Sequence, residues 1–132
     1  MAIYGAAMDA NSGESVRPLT DRERATLDGF LSSDFAGVEE LRAQVSTLQA
    51  RPSCSCGCGS IALLADRRVA ASPRITWSPL EADVVDDAGN SIGGLLLFAN
   101  DGYLDDLEVY SYLDEPLQLP PVDRIRWSHV DS

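Results

Sequence analysis

The chain has 132 residues, of which 45% are hydrophobic and 23% are charged, which indicates one folded domain rather than a disordered chain. Its net charge of −11 argues against binding to phosphate groups, so we expect neither nucleic acid nor an anionic membrane surface as a partner. The acids are concentrated in one half: the 49 residues between Arg74 and Arg124 contain eleven carboxylates and no basic side chain. A partner of this half is therefore expected to be cationic, either a basic protein or a metal ion.

Residues 1–17 are small and polar and predict a poorly ordered arm, followed by a single domain over residues 18–132. The first residues lack the basic and apolar regions of a secretory signal. The longest apolar run, residues 92–99, is shorter than the roughly 18 residues that a membrane span needs. These features predict a cytoplasmic protein.

Two helices are predicted next. Thr20 and Glu23 have the spacing of a capping box, in which each side chain bonds to the backbone N–H of the other residue, and they predict a helix to about residue 33. A second stripe of apolar residues follows at three- and four-residue steps: Val38, Leu41, Val45 and Leu48. We expect Pro52 to end this second helix, because proline cannot donate to the helical hydrogen-bond ladder.

The remainder shows the patterns of β-strands. A short apolar run at 60–65 is followed by alternating apolar and acidic residues at 80–84, and residues 92–98 are apolar on both faces, which is typical of a central strand. The last strand alternates over 107–113, with Leu113 on the buried side. Turn sequences rich in Asp, Asn and Gly separate these runs. The sequence therefore predicts an α+β fold in which two N-terminal helices pack on an antiparallel meander of three or four strands, with 125–127 as an irregular or edge segment.

Three cysteines, Cys54, Cys56 and Cys58, lie within five residues and are candidate ligands for zinc or copper. In an extended strand their side chains would lie about 7 Å apart, whereas sulfurs that bind one zinc ion lie within about 4 Å of each other, so a site would require a tight loop. The only histidine is His129, and the usual Cys-x2-4-Cys spacing is missing. Reduced, partly buried cysteines and a disulfide are the alternatives.

Candidate catalytic groups are few. With one histidine, a cysteine–histidine pair is not expected, and no phosphate-binding glycine motif is present. Carboxylates two residues apart, such as Glu81 and Asp83, can share a proton or flank a glycosidic bond. Carboxylates on a solvated strand face are much more common, so we predict a non-catalytic protein and keep a carboxylate-based hydrolase as an alternative.

One predicted surface combines acids with tyrosines. Alternation in the strands places six residues on the same face of the sheet, where they would form a partner-binding patch: Glu81, Asp83, Asp106, Glu108, Tyr110 and Tyr112. Tyrosine offers amphipathic contact area, and the acids attract a basic partner. The alternative is that a helix covers the two tyrosines.

The strand sequence from Gly102 to Tyr112, followed by Pro116 and Leu119-Pro120, resembles small acidic bacterial proteins of unknown function, including immunity-type partners of toxins. The resemblance covers residues 80–121 and carries no catalytic motif. It implies an α+β domain and no known activity. An inhibitor or immunity-type partner of a basic protein is instead indicated by the one-sided charge and the lack of a catalytic set. All ten basic residues are arginine, which favours a GC-rich bacterial source such as an actinobacterium. We therefore predict an acidic interaction domain that binds a basic protein, with soft-metal binding by the cysteines as the alternative.

Overall fold

One antiparallel sheet of seven strands dominates the computed structural model, which describes residues 16–34, 36–52, 59–72 and 80–127. The strands are β1 (Arg17–Pro18), β2 (Gln49–Pro52), β3 (Ile61–Leu64), β4 (Leu80–Val85), β5 (Ser91–Asn100), β6 (Tyr103–Ser111) and β7 (Ile125–Trp127). They lie in the order β1-β2-β3-β6-β5-β4-β7, and every neighbouring pair is antiparallel. Of the described residues, 39% are in strands and 21% are in helices.

Two short α-helices precede most of the sheet: α1 (Asp21–Phe30) and α2 (Val38–Val45). The capping box at the start of α1 is confirmed: the Glu23 N–H donates to Thr20 Oγ1 at 3.0 Å, and the Thr20 N–H donates to Glu23 Oε1 at 2.9 Å. Glu23 also accepts two 2.8 Å hydrogen bonds from Arg17, which connects the helix to β1. A 3-10 helix (Val122–Arg124) precedes β7. Within the described residues, no helix has the length and apolar character needed to cross a membrane.

Both helices pack against one face of the sheet. Leu27 and Leu41 from the helices join Leu95, Leu97 and Leu107 from the central strands in a single buried cluster. At the edge of this core, the ring of Phe30 meets Trp127 of β7 edge to face, with centroids 5.2 Å apart. The cluster defines the covered face of the sheet, and the pleat sends the intervening residues of each strand to the opposite face.

A buried glutamine joins α2 to the turn between β5 and β6. Gln44 is fully buried; its Nε2 donates to the carbonyls of Ala70 (3.1 Å) and Gly102 (2.9 Å), and its Oε1 accepts from the Leu104 N–H (2.9 Å). Gly102 has a φ of 83°, and a Cβ there would lie 2.6 Å from the carbonyl oxygen of Ser72. The turn therefore requires glycine, and the amide of Gln44 satisfies the backbone groups around it.

The predicted fold of two helices on a three- or four-stranded meander is wrong, because the sheet has seven strands and strand content exceeds helix content. The helix expected to continue to Pro52 ends at Val45, and residues 49–52 form β2 instead. Pro52 is tolerated there because it is the last residue of β2 and lies beyond the pairing with β1, which reaches only Gln49 and Ala50. Leu113, expected on the buried side, is 48% exposed because β6 ends at Ser111.

The predicted arm, residues 1–17, is outside the described residues except for its last two positions. Arg17 already belongs to β1, where it pairs with Ala50. The sheet therefore begins one residue before the predicted domain boundary at residue 18.

Candidate functional site: the open face of the sheet

The face of the sheet opposite the helices is here called the open face. Cross-strand pairs set its rows: Glu81 of β4 lies beside Leu96 of β5, which lies beside Glu108 of β6. The next row joins Asp83, Gly94 and Tyr110 in the same way. On the other side of the Leu96 row, Phe98 pairs with Asp106. The open face thus comprises Glu81, Asp83, Gly94, Leu96, Phe98, Asp106, Glu108 and Tyr110.

An apolar stripe runs along the middle of the open face. Leu96 and Phe98 of β5 form it and are both partly exposed, although they lie in the central strand of the acidic half. Leu96 has a carboxylate on each side, Glu81 of β4 and Glu108 of β6, whereas Phe98 lies beside Asp106 of β6. The carboxylates of β4 (Glu81 and Asp83) and those of β6 (Asp106 and Glu108) are here called the acidic rails. Neighbouring strands lie about 4.8 Å apart, so the rails are separated by about 10 Å.

The rails carry an excess of negative charge. Asp83 is partly compensated, since it accepts a 2.6 Å hydrogen bond from Ser91 Oγ and pairs with Arg126 at 3.3 Å. Among the described residues, no arginine forms an ion pair with Glu81, Asp106 or Glu108. The net field of the open face therefore attracts cations.

A β-bulge shapes one end of the stripe. Phe98 pairs with Asp106 but Ala99 pairs with Leu104, so Asp105 is an extra residue in β6. The bulge borders a shallow cavity of about 290 Å³, lined by Phe98, Ala99, Asn100, Asp105, Asp106 and Glu108. The Oδ1 atom of Asp106 is buried and has no hydrogen-bond partner among the described residues. Three carboxylates and one unsatisfied oxygen thus meet at this cavity.

Burial raises the pKa of Asp106 to about 6, and repulsion from Glu108 and Asp105 adds to the effect. A buried carboxylate is less well solvated than one in water, and neighbouring negative charges oppose its ionisation further. Either a proton or a cationic partner would relieve this repulsion. A positive charge at the bulge would therefore be stabilised by Asp106 and its two acidic neighbours.

The two tyrosines of the predicted patch form the other end of the stripe. The rings of Tyr110 and Tyr112 meet edge to face with centroids 5.7 Å apart. The side chain of Tyr110 lies directly against Gly94. A Cβ at that glycine would be only 2.2 Å from the tyrosine hydroxyl, so a larger residue does not fit beneath it. Burial raises the pKa of Tyr110, as do a hydrogen bond to Tyr112 and the nearby carboxylates Glu81 and Asp83.

The alternative that a helix covers these tyrosines is wrong. Tyr110 is 36% exposed and Tyr112 is 61% exposed, and both helices pack on the other face. The structure brings together the predicted residues Glu81, Asp83, Asp106, Glu108 and Tyr110 on the open face, with Tyr112 at its border. That these residues bind a partner remains a prediction.

Sequence reasoning did not select Leu96, Phe98 or Asp105 for this surface. The apolar sequence of residues 92–98 predicted a central strand, and β5 is one, but this prediction did not say which of its apolar side chains would stay partly exposed. The sequence did contain a signal for the stripe. Acids at every second position of β4 and β6 indicate that one face of these strands is in contact with water, and the residues of β5 between them on that face are then in contact with water too. Asp105 reaches this surface only because of the bulge in β6, and no local pattern in the sequence predicts that bulge.

Cys54, Cys56 and Cys58 lie outside the described residues, in the connection from β2 to β3, and His129 lies outside them as well. Within the part of the chain that is described, no group of three or more His, Cys, Asp or Glu side chains is arranged to hold a metal ion. Binding of zinc or copper by the cysteines remains a prediction. Native mass spectrometry of protein purified without added metal tests it, with Cys56→Ser as the variant that should lose the ion.

No protein-family model, curated protein or solved structure matches this chain. The resemblance to small acidic bacterial proteins and to immunity-type proteins therefore remains a prediction from the sequence.

Proposed function

We propose that this chain is a non-catalytic, acidic interaction domain that binds a basic protein through the open face, in the manner of an inhibitor or an immunity-type partner. One observation carries the proposal: on the face opposite the helices, Leu96 and Phe98 are partly exposed, with carboxylates on both sides of Leu96 and Asp106 beside Phe98. Neither nucleic acid nor an anionic membrane suits this surface, because both would meet negative charge with negative charge.

The stripe and the rails would contribute differently to binding. Covering Leu96 and Phe98 removes apolar surface from water, which stabilises a complex by about 25 cal/mol for each Å² buried. The carboxylates of the rails add long-range attraction, which increases the association rate and selects partners of positive charge. An apolar centre with a charged surround is the usual organisation of a protein interface.

The geometry favours binding over carboxylate catalysis. Of the residues that a hydrolase would need, Asp83 already bonds to Ser91 and Arg126. Glu108 lines the cavity at the bulge, whereas Glu81 does not. A pair of catalytic carboxylates must face the same substrate bond, and of Glu81, Asp83 and Glu108 only Glu108 lines the cavity at the bulge.

The proposal is tested by charge reversal on the open face. The wild-type chain and a Glu81→Arg/Glu108→Arg variant are immobilised and exposed to lysate of the source cell, and bound proteins are identified by mass spectrometry. The matched control is Asp114→Arg/Glu115→Arg, which makes the same change of charge at exposed residues beyond β6. We expect the wild type and the control to retain a basic protein that the open-face variant loses.

Salt provides the second readout. Because exposed charges are screened over about 8 Å at physiological ionic strength and over about 3 Å near 1 M salt, retention should fall steeply as salt is added. Retention that is equal for all three proteins, or that is insensitive to salt, contradicts the proposal.

A further inference from the structure

We propose that the partner presents a basic amphipathic helix that lies along the apolar stripe and places one cationic side chain in the cavity beside Asp106. This inference rests on the proposed function and specifies the structural element that the open face recognises. In this complex, apolar residues of the helix contact Leu96 and Phe98. Basic residues on the flanks of the helix pair with the acidic rails, and one basic side chain enters the cavity at the bulge.

Strand topology argues for a helix rather than an added strand. β5 is hydrogen-bonded to β6 along its length and to β4 as far as Leu97, so the backbone groups around Leu96 are already satisfied. A partner strand could add hydrogen bonds at the edge strands β1 and β7, or where β2 and β6 extend beyond their short partners β1 and β3, but not between β5 and its neighbours. The stripe in the middle of the sheet can therefore be covered only by side-chain packing, which is how a helix layer covers a sheet.

The dimensions of the open face agree with this occupant. A helix with its side chains is about 10–12 Å wide, close to the separation of about 10 Å between the acidic rails. Leu96 and Phe98 are two residues apart and span about 7 Å along β5, somewhat more than one helical turn of 5.4 Å. Apolar residues at positions i and i+3 or i+4 would cover both, while Lys or Arg on the two flanks of the helix would reach the rails.

The two ends of the stripe would make different contacts with the helix. At one end Tyr110 lies across Gly94, which gives the helix an aromatic boundary. At the other end the cavity of about 290 Å³ opens beside the buried, unpartnered Oδ1 of Asp106. An ammonium or guanidinium group there would satisfy this oxygen with a charge-assisted hydrogen bond.

The surroundings of Asp106 contain no competing cation among the described residues. On its own strand it faces Glu108 and Asp105, and its neighbours across the strands are Phe98 of β5 and Ala62 of β3. Arg51 lies beyond Ala62 on β2, about two strand spacings or 10 Å away. Arg51 forms no ion pair with Asp106, so a partner's cation can occupy the cavity.

Three synthetic peptides of identical composition test the inference. Each has about 15 residues of Leu, Lys and Ala; one places Leu at helical spacing, one alternates Leu and Lys as a strand does, and one is scrambled. Binding to the wild-type protein is measured by fluorescence anisotropy, and helix formation by circular dichroism. We expect the helical isomer to bind about tenfold more tightly than the others, a difference of about one decade in Kd, and to gain helix on binding.

Variants locate the site. Phe98→Ser should weaken binding of the helical isomer by about tenfold, while Leu113→Ser, at an exposed leucine outside the open face, should not. Asp106→Asn should weaken it by about fivefold, since the cation at the bulge loses its charged partner. Asp114→Asn is its matched control. Thermal unfolding of each variant confirms that the fold is retained.

The outcomes separate this inference from the proposed function. Equal binding of all three peptides, weakened by Glu81→Arg/Glu108→Arg but not by Phe98→Ser, overturns the helix and leaves the basic partner in place. Tighter binding of the alternating isomer does the same. If the peptides bind without dependence on the open face, the inference fails, and the lysate experiment then decides the proposed function independently.

Discussion

Leu107 and Glu108 are neighbours in β6 and lie on opposite faces of the sheet. Leu107 is fully buried beneath the helices in the same cluster as Leu95 and Leu97. Glu108 is partly exposed beside Leu96 and Asp106, with no ion pair among the described residues. The same strands form both faces of the sheet. One face is packed against the helices, and the other carries carboxylates, such as Glu108, that form no ion pair among the described residues.

This contrast separates stability from recognition. The covered face buries the side chains that determine whether the chain folds. The open face contains carboxylates whose mutual repulsion opposes folding, such as those around Asp106. Features that cost stability are often kept because they bind something, and the predictions below test whether the two faces differ in this way.

The largest expected effect is on the covered face. Leu107→Ala removes a fully buried side chain and should lower the free energy of unfolding by about 3–5 kcal/mol, through lost burial and the cavity left behind. Glu108→Ala, one residue away, should change it by about 0.5 kcal/mol or less. Urea denaturation of both variants measures the difference. Similar losses in the two variants would contradict the assignment of stability to the covered face.

The second largest effect is expected at the buried hydrogen bonds of Gln44. Gln44→Leu should lower the free energy of unfolding by about 2–4 kcal/mol, because the carbonyls of Ala70 and Gly102 and the N–H of Leu104 lose their partners. Hydrogen exchange should show the turn between β5 and β6 opening more readily. Unchanged stability would mean that water replaces the amide without loss.

Unlike the two substitutions above, Asp106→Asn should raise the free energy of unfolding near neutral pH. The pKa of Asp106 is raised in the folded protein to about 6, so its contribution favours folding below the unfolded-state pKa and is lost as the pH rises through about 6. The variant should therefore gain about 1 kcal/mol at pH about 7.5, a value reduced for screening by water, and little at pH about 4. Denaturation at both pH values tests this, and a loss of stability at pH about 7.5 would contradict it.

The same residue links pH to binding. Affinity for the helical Leu/Lys peptide should fall as the pH drops through about 6, because protonated Asp106 no longer attracts the cation, while Glu108 and Asp105 still contribute charge. In Asp106→Asn this step should be absent. A step that persists in the variant would assign the pH dependence to another group.

The smallest effect is expected at the border of the open face. Arg126→Ala removes an exposed ion pair with Asp83 and should change the free energy of unfolding by about 0.5 kcal/mol or less. The same change frees a carboxylate of one acidic rail, so affinity for the helical Leu/Lys peptide should rise by about twofold. Weaker binding would show that Arg126 contacts the partner instead.

Local sequence signals predicted part of this molecule. The capping box of Thr20 and Glu23 forms because its partners are three residues apart. The alternation of Glu81 and Asp83 with apolar neighbours gave the acidic side of β4, because side chains in a strand alternate with a period of two. The common face of Glu108 and Tyr110 has the same origin.

The number and order of the strands were decided by tertiary pairing. β1 has only two residues, and β2 contains an arginine and a proline with a single buried side chain, Ala50, so neither has a strand pattern of its own. Each forms because a distant partner supplies its hydrogen bonds, as Leu63 does for Ala50. Such pairing depends on contacts far apart in the chain, which short-range patterns do not contain.

The composition and the period of the chain thus determined that one side of β4 and β6 would be acidic and the other side apolar. Only the tertiary structure decided which face of β5 the two helices would cover, that a bulge would let Asp105 and Asp106 line one cavity, and that Leu96 and Phe98 would stay partly exposed. The reason is that the two faces of β5 are equally apolar in sequence. Which of them is buried depends on where the helices pack, not on the strand itself.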